Sequence, residues 1–551
     1  MRVYEAVDTT LKALGVDTVF GVMGDGNMRF VTHMTQECGI TYYAARHESA
    51  AVGMADAYAR VTGKVGVSTV TQGPGLTNTP TPLAEAAKAS TPLLLLTGAS
   101  PLSVRWHNQR IDQPALAAAV GAGYEPFRGA GTVISDVARA WRRAALESRP
   151  ILFAIPTDFQ DLEAGPADQA LLPMETFQRI VPSPEAVKKM ADLVQVAQRP
   201  LILAGRGAVR ARAGRLLEEL GTRIGALLVT SAMGRGLFAG NPFDLGIAGG
   251  FATGPAARLI GEADLILAFG ASLNHWTTRH GSLFPNSAAI VQCDIDPAAL
   301  GARERVTLGV VGDAAATAEA LRDELAARGF EQTGFRTGSI KRAIADYRAE
   351  DAFEDESTQD RGDPRSLTIR LNQILPPERT LVVDAGRFSG FPIMYLAVPD
   401  PAGFVFATDF QALGLGLGNA IGAAVARPDR ITVLFTGDGG MMMSLNESDT
   451  AVRYTLPLLI VIIKDAAYGA EVYFLQQLGL STKQAEFNDP DFAAIAQGMG
   501  AQGLTVRSLG DLDTIRPWIA HPTGPLVVDC KVNPELQAQW VREAFGKNSV
   551  H

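Results

Sequence analysis

A short apolar run, a tight glycine-bearing turn and a helical pattern follow one another along this whole chain. That alternation is the strongest constraint on its fold. Residues 1–160 carry the runs "DTVFGVMG", "KVGVSTVTQGPG", "PLLLLTG" and "PILFAIP". A second block carries "PLILAGRG", "ALLVTSAMG", "LILAFGAS" and "AIVQCDIDP". A third, after Arg365, carries "TLVVDAG", "VFATDF", "ITVLFTGDGG", "LPLLIVIIKD" and "GPLVVDCKV". Strands that alternate with helices form parallel sheets covered on both faces. The pattern therefore predicts an α/β chain of three doubly wound parallel-sheet domains. Two stretches of different texture separate the blocks: residues 162–186, with scattered proline, and residues 332–365, dense in charge. The expected division is 1–165, 184–330 and 365–535, with 536–551 as a C-terminal tail.

Composition narrows the partners. With 47% apolar and 19% charged residues over 551 positions, core material is ample. A net charge of −9 argues against a nucleic-acid partner and against an anionic membrane surface. No run reaches the roughly 18 apolar residues that span a bilayer. The start, "MRVYEAVDTTLKALGVDTVFGV", lacks the basic and apolar regions of a secretory signal. Three scattered cysteines (Cys38, Cys293, Cys530) suit a reducing compartment and form no CxxC zinc pair. A cytoplasmic protein is the expectation.

Two apolar runs of the third block end on acids. One stops at Gly437-Asp438-Gly439-Gly440, and the next at Lys464-Asp465, 27 residues after Asp438. Ligands of parallel sheets bind beyond the carboxyl ends of strands. The glycines let backbone N–H groups approach an anion, and the helix that follows favours one. An acid beside an anion site needs a bridging cation, and Mg²⁺ prefers oxygen ligands. Asp438, Asp465 and the carbonyl of Ala467 are candidate ligands. The alternative makes Asp438 a turn residue and Asp465 a helix cap. Their pairing at consecutive strand ends around a glycine nest favours the ligand reading.

This Gly-Asp-Gly pattern, followed at that distance by an amide or acid after an apolar strand, resembles the thiamin-diphosphate motif. The likeness is to the decarboxylase and acetolactate-synthase group and covers nearly the whole chain. That family usually shows Asn-Asn where this chain has Lys464-Asp465. The resemblance implies a pyrimidine-binding, a central nucleotide-fold-like and a diphosphate-binding domain, with thiamin diphosphate and Mg²⁺ as cofactors. "YYAARHESAAVGMADAYARVTGK" (Tyr42–Lys64) is similar to the family's segment bearing its catalytic acid, which maps onto Glu48. Glu48 would hydrogen-bond the cofactor's aminopyrimidine and help remove the proton of the reactive thiazolium carbon. "TQGPGLTNTPTPLAEAAKASTPLLLLTG" follows in the family's pattern, with Pro74 inside its turn.

Further positions follow from the same likeness. In "FQALGLGLGNAIGAA" (Phe410–Ala424), Leu413 falls where a bulky residue wedges the cofactor into its bent form, with Gln411 beside it. The "DAGRF" turn offers Gly386 for backbone contact, while Arg387 and Phe388 face either cofactor or solvent. Asp25 and Glu471 stand where pyruvate-type decarboxylases carry acids and acetolactate synthases do not. Gln72, His107 and Gln113 complete the polar candidates, although the adjoining-histidine motif of the pyruvate-type enzymes is absent. The implied activity is cleavage or formation of a C–C bond beside a carbonyl. A 2-oxo acid would be decarboxylated, with carboligation as an extension. The alternatives are a non-decarboxylating lyase or hydrolase of an acyloin or 1,2-diketone, and a catalytically silent nucleotide-binding subunit. Some relatives bind FAD or an adenine nucleotide in the central domain. Here Gly205-Arg206-Gly207 is no full fingerprint, and a structural domain is the preferred reading. The family splits each cofactor between two subunits, which implies an obligate homodimer, paired into a homotetramer.

Overall fold

The computed structural model describes residues 1–165, 178–536 and 540–541. Most of the expected 536–551 tail, and part of the 162–186 connector, lie outside the described residues. Three six-stranded sheets form the molecule. The first holds β1 (Thr18–Gly21), β2 (Thr41–Ala44), β3 (Gly66–Val70), β4 (Leu93–Ala99), β5 (Gly123–Glu125) and β6 (Pro150–Pro156). The second holds β7 (Pro200–Ala204), β8 (Leu227–Thr230), β9 (Asp244–Ile247), β10 (Leu265–Phe269), β11 (Ala289–Asp294) and β12 (Leu308–Val311). The third holds β13 (Arg379–Val383), β14 (Phe404–Phe406), β15 (Ile431–Gly437), β16 (Leu458–Lys464), β17 (Gln502–Val506) and β18 (Leu526–Lys531).

The strand orders carry functional meaning. The first sheet runs β2-β1-β3-β4-β6-β5 and the third β14-β13-β15-β16-β18-β17, which is the same topology. The second runs β12-β11-β10-β7-β8-β9, the order of dinucleotide-binding sheets. The interior strands are parallel and apolar on both faces, as covered sheets require. The three-layer α/β class expected from the alternation is what forms.

By packing, the chain falls into two compact units. One draws on Met1–Thr176, Arg379–Ser389 and Val405–Val532, so it contains the first and third sheets. The other draws on Phe177–Glu378, Gly390–Phe404 and Asn533–His551 and contains the second sheet. Inside the first unit, the helix Glu48–Thr62 lies against the helix Gly416–Ala426. Both are built of small residues and buried almost all round. A Cβ on Gly422 would fall 2.1 Å from the carbonyl oxygen of Met54, so the two backbones touch there. Asn419 donates to the Gly53 carbonyl and to Asp56, each at 3.2 Å.

Three local readings change. The helix expected after the Gly437–Gly440 turn is two helices, Asp438–Ser444 and Glu447–Arg453, and Asp438 belongs to the first turn. The charged 332–365 connector contains a helix, Gly338–Asp346, capped by the Thr337 hydroxyl. The strands β2, β5, β9, β12 and β17 have no counterpart in the apolar runs. Among the described residues no helix is long and apolar enough to cross a membrane.

Candidate active site

Ligands of such sheets bind where the strand order reverses. That point lies between β13 and β15 in the third sheet, and between β1 and β3 in the first. Several of the sequence-predicted residues lie at these two points. Asp384–Arg387 leaves β13, Gly437-Asp438 leaves β15, Asp25 follows β1, and Gln72-Gly73-Pro74 follows β3.

Asp438 is buried in the first helical turn, with Gly437 as the N-cap. Its Oδ1 accepts from the Gly439 N–H at 3.0 Å and its Oδ2 from the Ala466 N–H at 2.7 Å. Burial, and then the charge of Asp465, push Asp438 up to about 7. Asp465 follows the neighbouring strand one residue past Lys464, and the charge it exerts on Asp438 places the two acids near one another. It caps no helix: the next one, Gly469–Gln477, has Tyr468 as its N-cap. Instead its Oδ2 accepts from Arg387 Nη2 at 2.5 Å. Burial raises the Asp465 pKa, and the guanidinium works against that rise.

The next residues turn sharply. Ala466 has φ +59°, a left-handed conformation that costs a non-glycine residue on the order of 1–3 kcal/mol. The turn aims its N–H at Asp438. Its carbonyl accepts from Phe487, and Tyr468 donates to the Ala485 carbonyl. The carbonyl of Ala467 lies outside that small ladder. Strand alternation sends Lys464 the opposite way from Asp465. Lys464 is buried with Asp529 and Lys531 beneath the exposed Asp489, and Lys531 reaches Asp489 at 2.9 Å and Asp529 at 3.1 Å. Each half of the Lys464-Asp465 departure thus has its own counter-charge.

The glycines are held by packing as much as by any ligand. A Cβ on Gly439 would lie 2.6 Å from the Tyr468 ring, and one on Gly440 would lie 2.7 Å from Asp384 Oδ2. Gly386, at φ +155°, leaves room for the Phe388 ring, which a Cβ would approach to 2.5 Å. Asp384 is fully buried and ties its own turn to the end of β15 and to the loop at Gly414. It accepts from Ala385 N–H at 2.8 Å, the Thr436 hydroxyl at 3.0 Å and Gly414 N–H at 3.2 Å. Burial pushes it up to about 6 against those bonds. The loop it holds carries Gln411, exposed and left-handed at φ +58°, and the half-buried Leu413. A Cβ on Gly414 would fall 2.7 Å from Met443 Cβ, so this loop rests on the helix begun by Asp438.

The first sheet supplies a second cluster. Asp25 accepts from the Thr71 hydroxyl at 2.8 Å and from Gln72 Nε2 at 3.3 Å. Gln72, buried over Gly26 and Gly98, also donates to Gln109 Oε1 at 2.7 Å. Gln113 stands apart from this network and donates to the Gly98 carbonyl at 2.9 Å. His107 makes a long contact of 3.4 Å to Ser100. Glu48 is the first residue of its helix, and its Oε2 accepts from Asn78 at 2.9 Å. Pro74 opens the short helix Pro74–Thr77, and a Cβ on Gly75 would sit 3.3 Å from Glu48 Oε1. Glu471 is exposed in the first turn of Gly469–Gln477. Among the described residues no hydrogen bond or ion pair joins it to Asp25, or Glu48 to Asp438.

The sequence reading passed over Thr71, Asn78, Gln109, Asp384 and Glu447. Glu447 is buried and accepts from the N–H groups of Arg46 at 3.0 Å and His47 at 2.8 Å. A carboxylate of the third-sheet domain thus holds the loop just before Glu48. In the central domain, a Cβ on Gly205 would fall 2.3 Å from the Gly270 carbonyl oxygen, and one on Gly207 would fall 2.7 Å from Gly270 Cα. Backbone packing therefore accounts for those glycines.

The donors beside Asp438 suit a hard cation. Among the described residues no group of three or more His, Cys, Asp or Glu converges. The side chains on hand are the carboxylates of Asp438 and Asp465, which offer oxygen donors. Mg²⁺ takes such ligands and completes its shell with water and phosphate oxygens.

Known proteins match along the chain. Residues 1–116 match the N-terminal TPP binding domain of the thiamine pyrophosphate enzymes. Residues 187–321 match their central domain and residues 384–530 their C-terminal TPP binding domain. The chain is 27% identical to a probable acetolactate synthase large subunit of Methanococcus aeolicus, over 96% of this chain and 92% of that protein. It is 28% identical to the acetolactate synthase isozyme 2 large subunit of Escherichia coli, over 96% and 95%. It is equally 28% identical to a sulfoacetaldehyde acetyltransferase of Castellaniella defragrans, over 92% and 88%. Given those three matched domains in one chain, this protein belongs to the thiamin-diphosphate-dependent enzymes, in their acetolactate-synthase-like group.

Proposed function

We propose that this enzyme uses thiamin diphosphate and Mg²⁺ to decarboxylate a 2-oxo acid, with transfer of the remaining acyl unit to an acceptor carbonyl. The cofactor, when bound, supplies a nucleophilic carbon and an electron sink for the pair left by C–C cleavage. In this reading Asp438, Asp465 and the Ala467 carbonyl hold Mg²⁺, and the Gly437–Gly440 turn presents backbone N–H groups to the diphosphate. Leu413 supports the bent cofactor, and Glu48 holds a proton at the aminopyrimidine. The first-sheet domain (1–165) and the third-sheet domain (365–535) each supply half of a site, while 184–330 is a structural domain.

The observation that carries the reaction type is the cluster of Asp25, Gln72 and Gln109 at the switch point of the first sheet. An amide donor beside a carboxylate can orient an anionic substrate and relay a proton. The names of the relatives, a synthase and an acetyltransferase, support acyl transfer as the fate of the product. The test is CO₂ release from a panel of 2-oxo acids, with thiamin diphosphate and Mg²⁺ present. Release from at least one, at rates tracking the cofactor, is expected. Cleavage of acyloins with no CO₂ from any 2-oxo acid would replace this reading by the lyase one.

The same reading sets a pH dependence. Asp438 lies raised to about 7, so a metal must displace its proton at lower pH. The apparent Mg²⁺ affinity should fall by up to about tenfold per pH unit below about 7 and level off above it. A raised folded pKa on an acid gives stability that is present below its unfolded value and lost as pH rises through the folded one. The metal-free protein should therefore melt lower as pH rises through about 7, where Mg²⁺ with cofactor stabilises it most. An Mg²⁺ titration with the same midpoint at pH 6 and pH 8, roughly one unit either side of that value, would contradict the assignment.

A further inference from the structure

We propose that Arg387 is a positioning residue that makes a carboxylate workable as a metal ligand at position 465; this rests on the cofactor reading above. Two acids meet at this strand edge, where an amide in place of Asp465 would bring one negative charge fewer. A cation bridging to a diphosphate then leaves the site overloaded with negative charge. The guanidinium of Arg387 lies 2.5 Å from Asp465 Oδ2, with side chains only 9% and 13% exposed. It restores the charge sum that an amide would give. It also fixes the ligand's orientation by holding Oδ2.

The room for this pair is built into the chain. A Cβ on Gly469 would fall 2.5 Å from Asp465 Oδ2 and 2.7 Å from Arg387 Nε, so any side chain there would split the two. Asp438 already has one backbone N–H on each oxygen and needs no such partner. A guanidinium suits the task better than an ammonium, since it stays charged when buried and its planar fork holds one carboxylate oxygen in place. Lys464 cannot substitute: it points to the other face of the sheet, into its cluster with Asp489, Asp529 and Lys531.

The test is a binding cycle without turnover. Calorimetric titrations of Mg²⁺ at saturating thiamin diphosphate, and the reverse, are run on wild type, Arg387→Gln, Asp465→Asn and the double variant. Arg387→Gln alone should raise the Kd of thiamin diphosphate at saturating Mg²⁺ on the order of tenfold or more, because the diphosphate then meets a buried carboxylate that has lost its counter-charge. In the Asp465→Asn background no carboxylate is left unpaired, so the same change should shift that Kd less than about threefold. Arg387→Lys, which keeps the charge and loses the fork, should show a smaller effect of the same sign. It carries the cycle if Arg387→Gln does not fold. Equal shifts in both backgrounds, or none in either, overturn the proposal. A wild type that fails to bind thiamin diphosphate with Mg²⁺ would instead overturn the cofactor reading and this inference with it.

Discussion

Replacing Glu48 with glutamine should leave thiamin diphosphate bound while turnover slows by on the order of 10²–10⁴, the range for a lost acid–base group. The expected separation of binding from chemistry comes from how Glu48 is held. Its backbone is positioned from outside its own side chain. Glu447 binds the N–H groups of Arg46 and His47, and His47 Nδ1 accepts from Ser49 N–H at 3.1 Å to cap the helix. Glutamine keeps the length of glutamate and an oxygen to accept from Asn78. It lacks only an oxygen able to hold and release a proton. Calorimetry with the cofactor and a kcat measurement on the substrate found in the 2-oxo acid panel check both halves. Turnover like that of wild type would remove Glu48 from the chemistry. Loss of cofactor binding would assign it to anchoring instead.

What the sequence shows of this fold follows burial. Interior strands such as β15 and β16 are covered on both faces, so they read as unbroken apolar runs. The unseen strands β2, β5, β9, β12 and β17 all lie at sheet edges. There one margin is open and the residues alternate or turn polar, as in "TYYA" and "LGVV", so no continuous run marks them. The site divides in the same way. Asp438 and Asp465 stood out as acids that end consecutive apolar runs, while Glu48 stood out only through the likeness of its segment to that of the family. Glu447 did not stand out, since its partners lie some 400 positions away and no local pattern encodes them. Arg387 was visible as a residue of the "DAGRF" turn but not as the counter-charge of Asp465, which depends on two loops meeting in space. Gln109 sits in an irregular loop, and only the fold brings it to Gln72.

Mixing two inactive proteins, Glu48→Gln and Asp438→Ala, should restore activity. Glu48 and Asp438 belong to the same compact unit, yet among the described residues the hydrogen bonds of their carboxylates go to Asn78 for one, and to Gly439 and Ala466 for the other. Large apolar side chains beside the Asp438 turn and beside Asp25 face water in the single chain. Met442, Met443 and Phe410 are 49%, 55% and 43% exposed beside the Asp438 turn and its flanking loop, and Met23 and Met28 are 53% and 42% exposed beside Asp25. Apolar surface gathered at a polar site favours cover by another protein surface, and a second copy of the chain is the simplest one. If each site takes Glu48 from one copy and Asp438 from the other, a hybrid dimer carries both lesions in one site and none in its second. Random exchange of equal amounts makes about half the dimers hybrid, so about a quarter of all sites are intact and activity should approach about a quarter of wild type. If each site lies within one chain, every chain in a hybrid keeps its own lesion and nothing is recovered. Differently tagged copies that co-purify after mixing prove exchange. Exchange without recovery would place the whole site in a single chain and leave those exposed methionines needing another explanation.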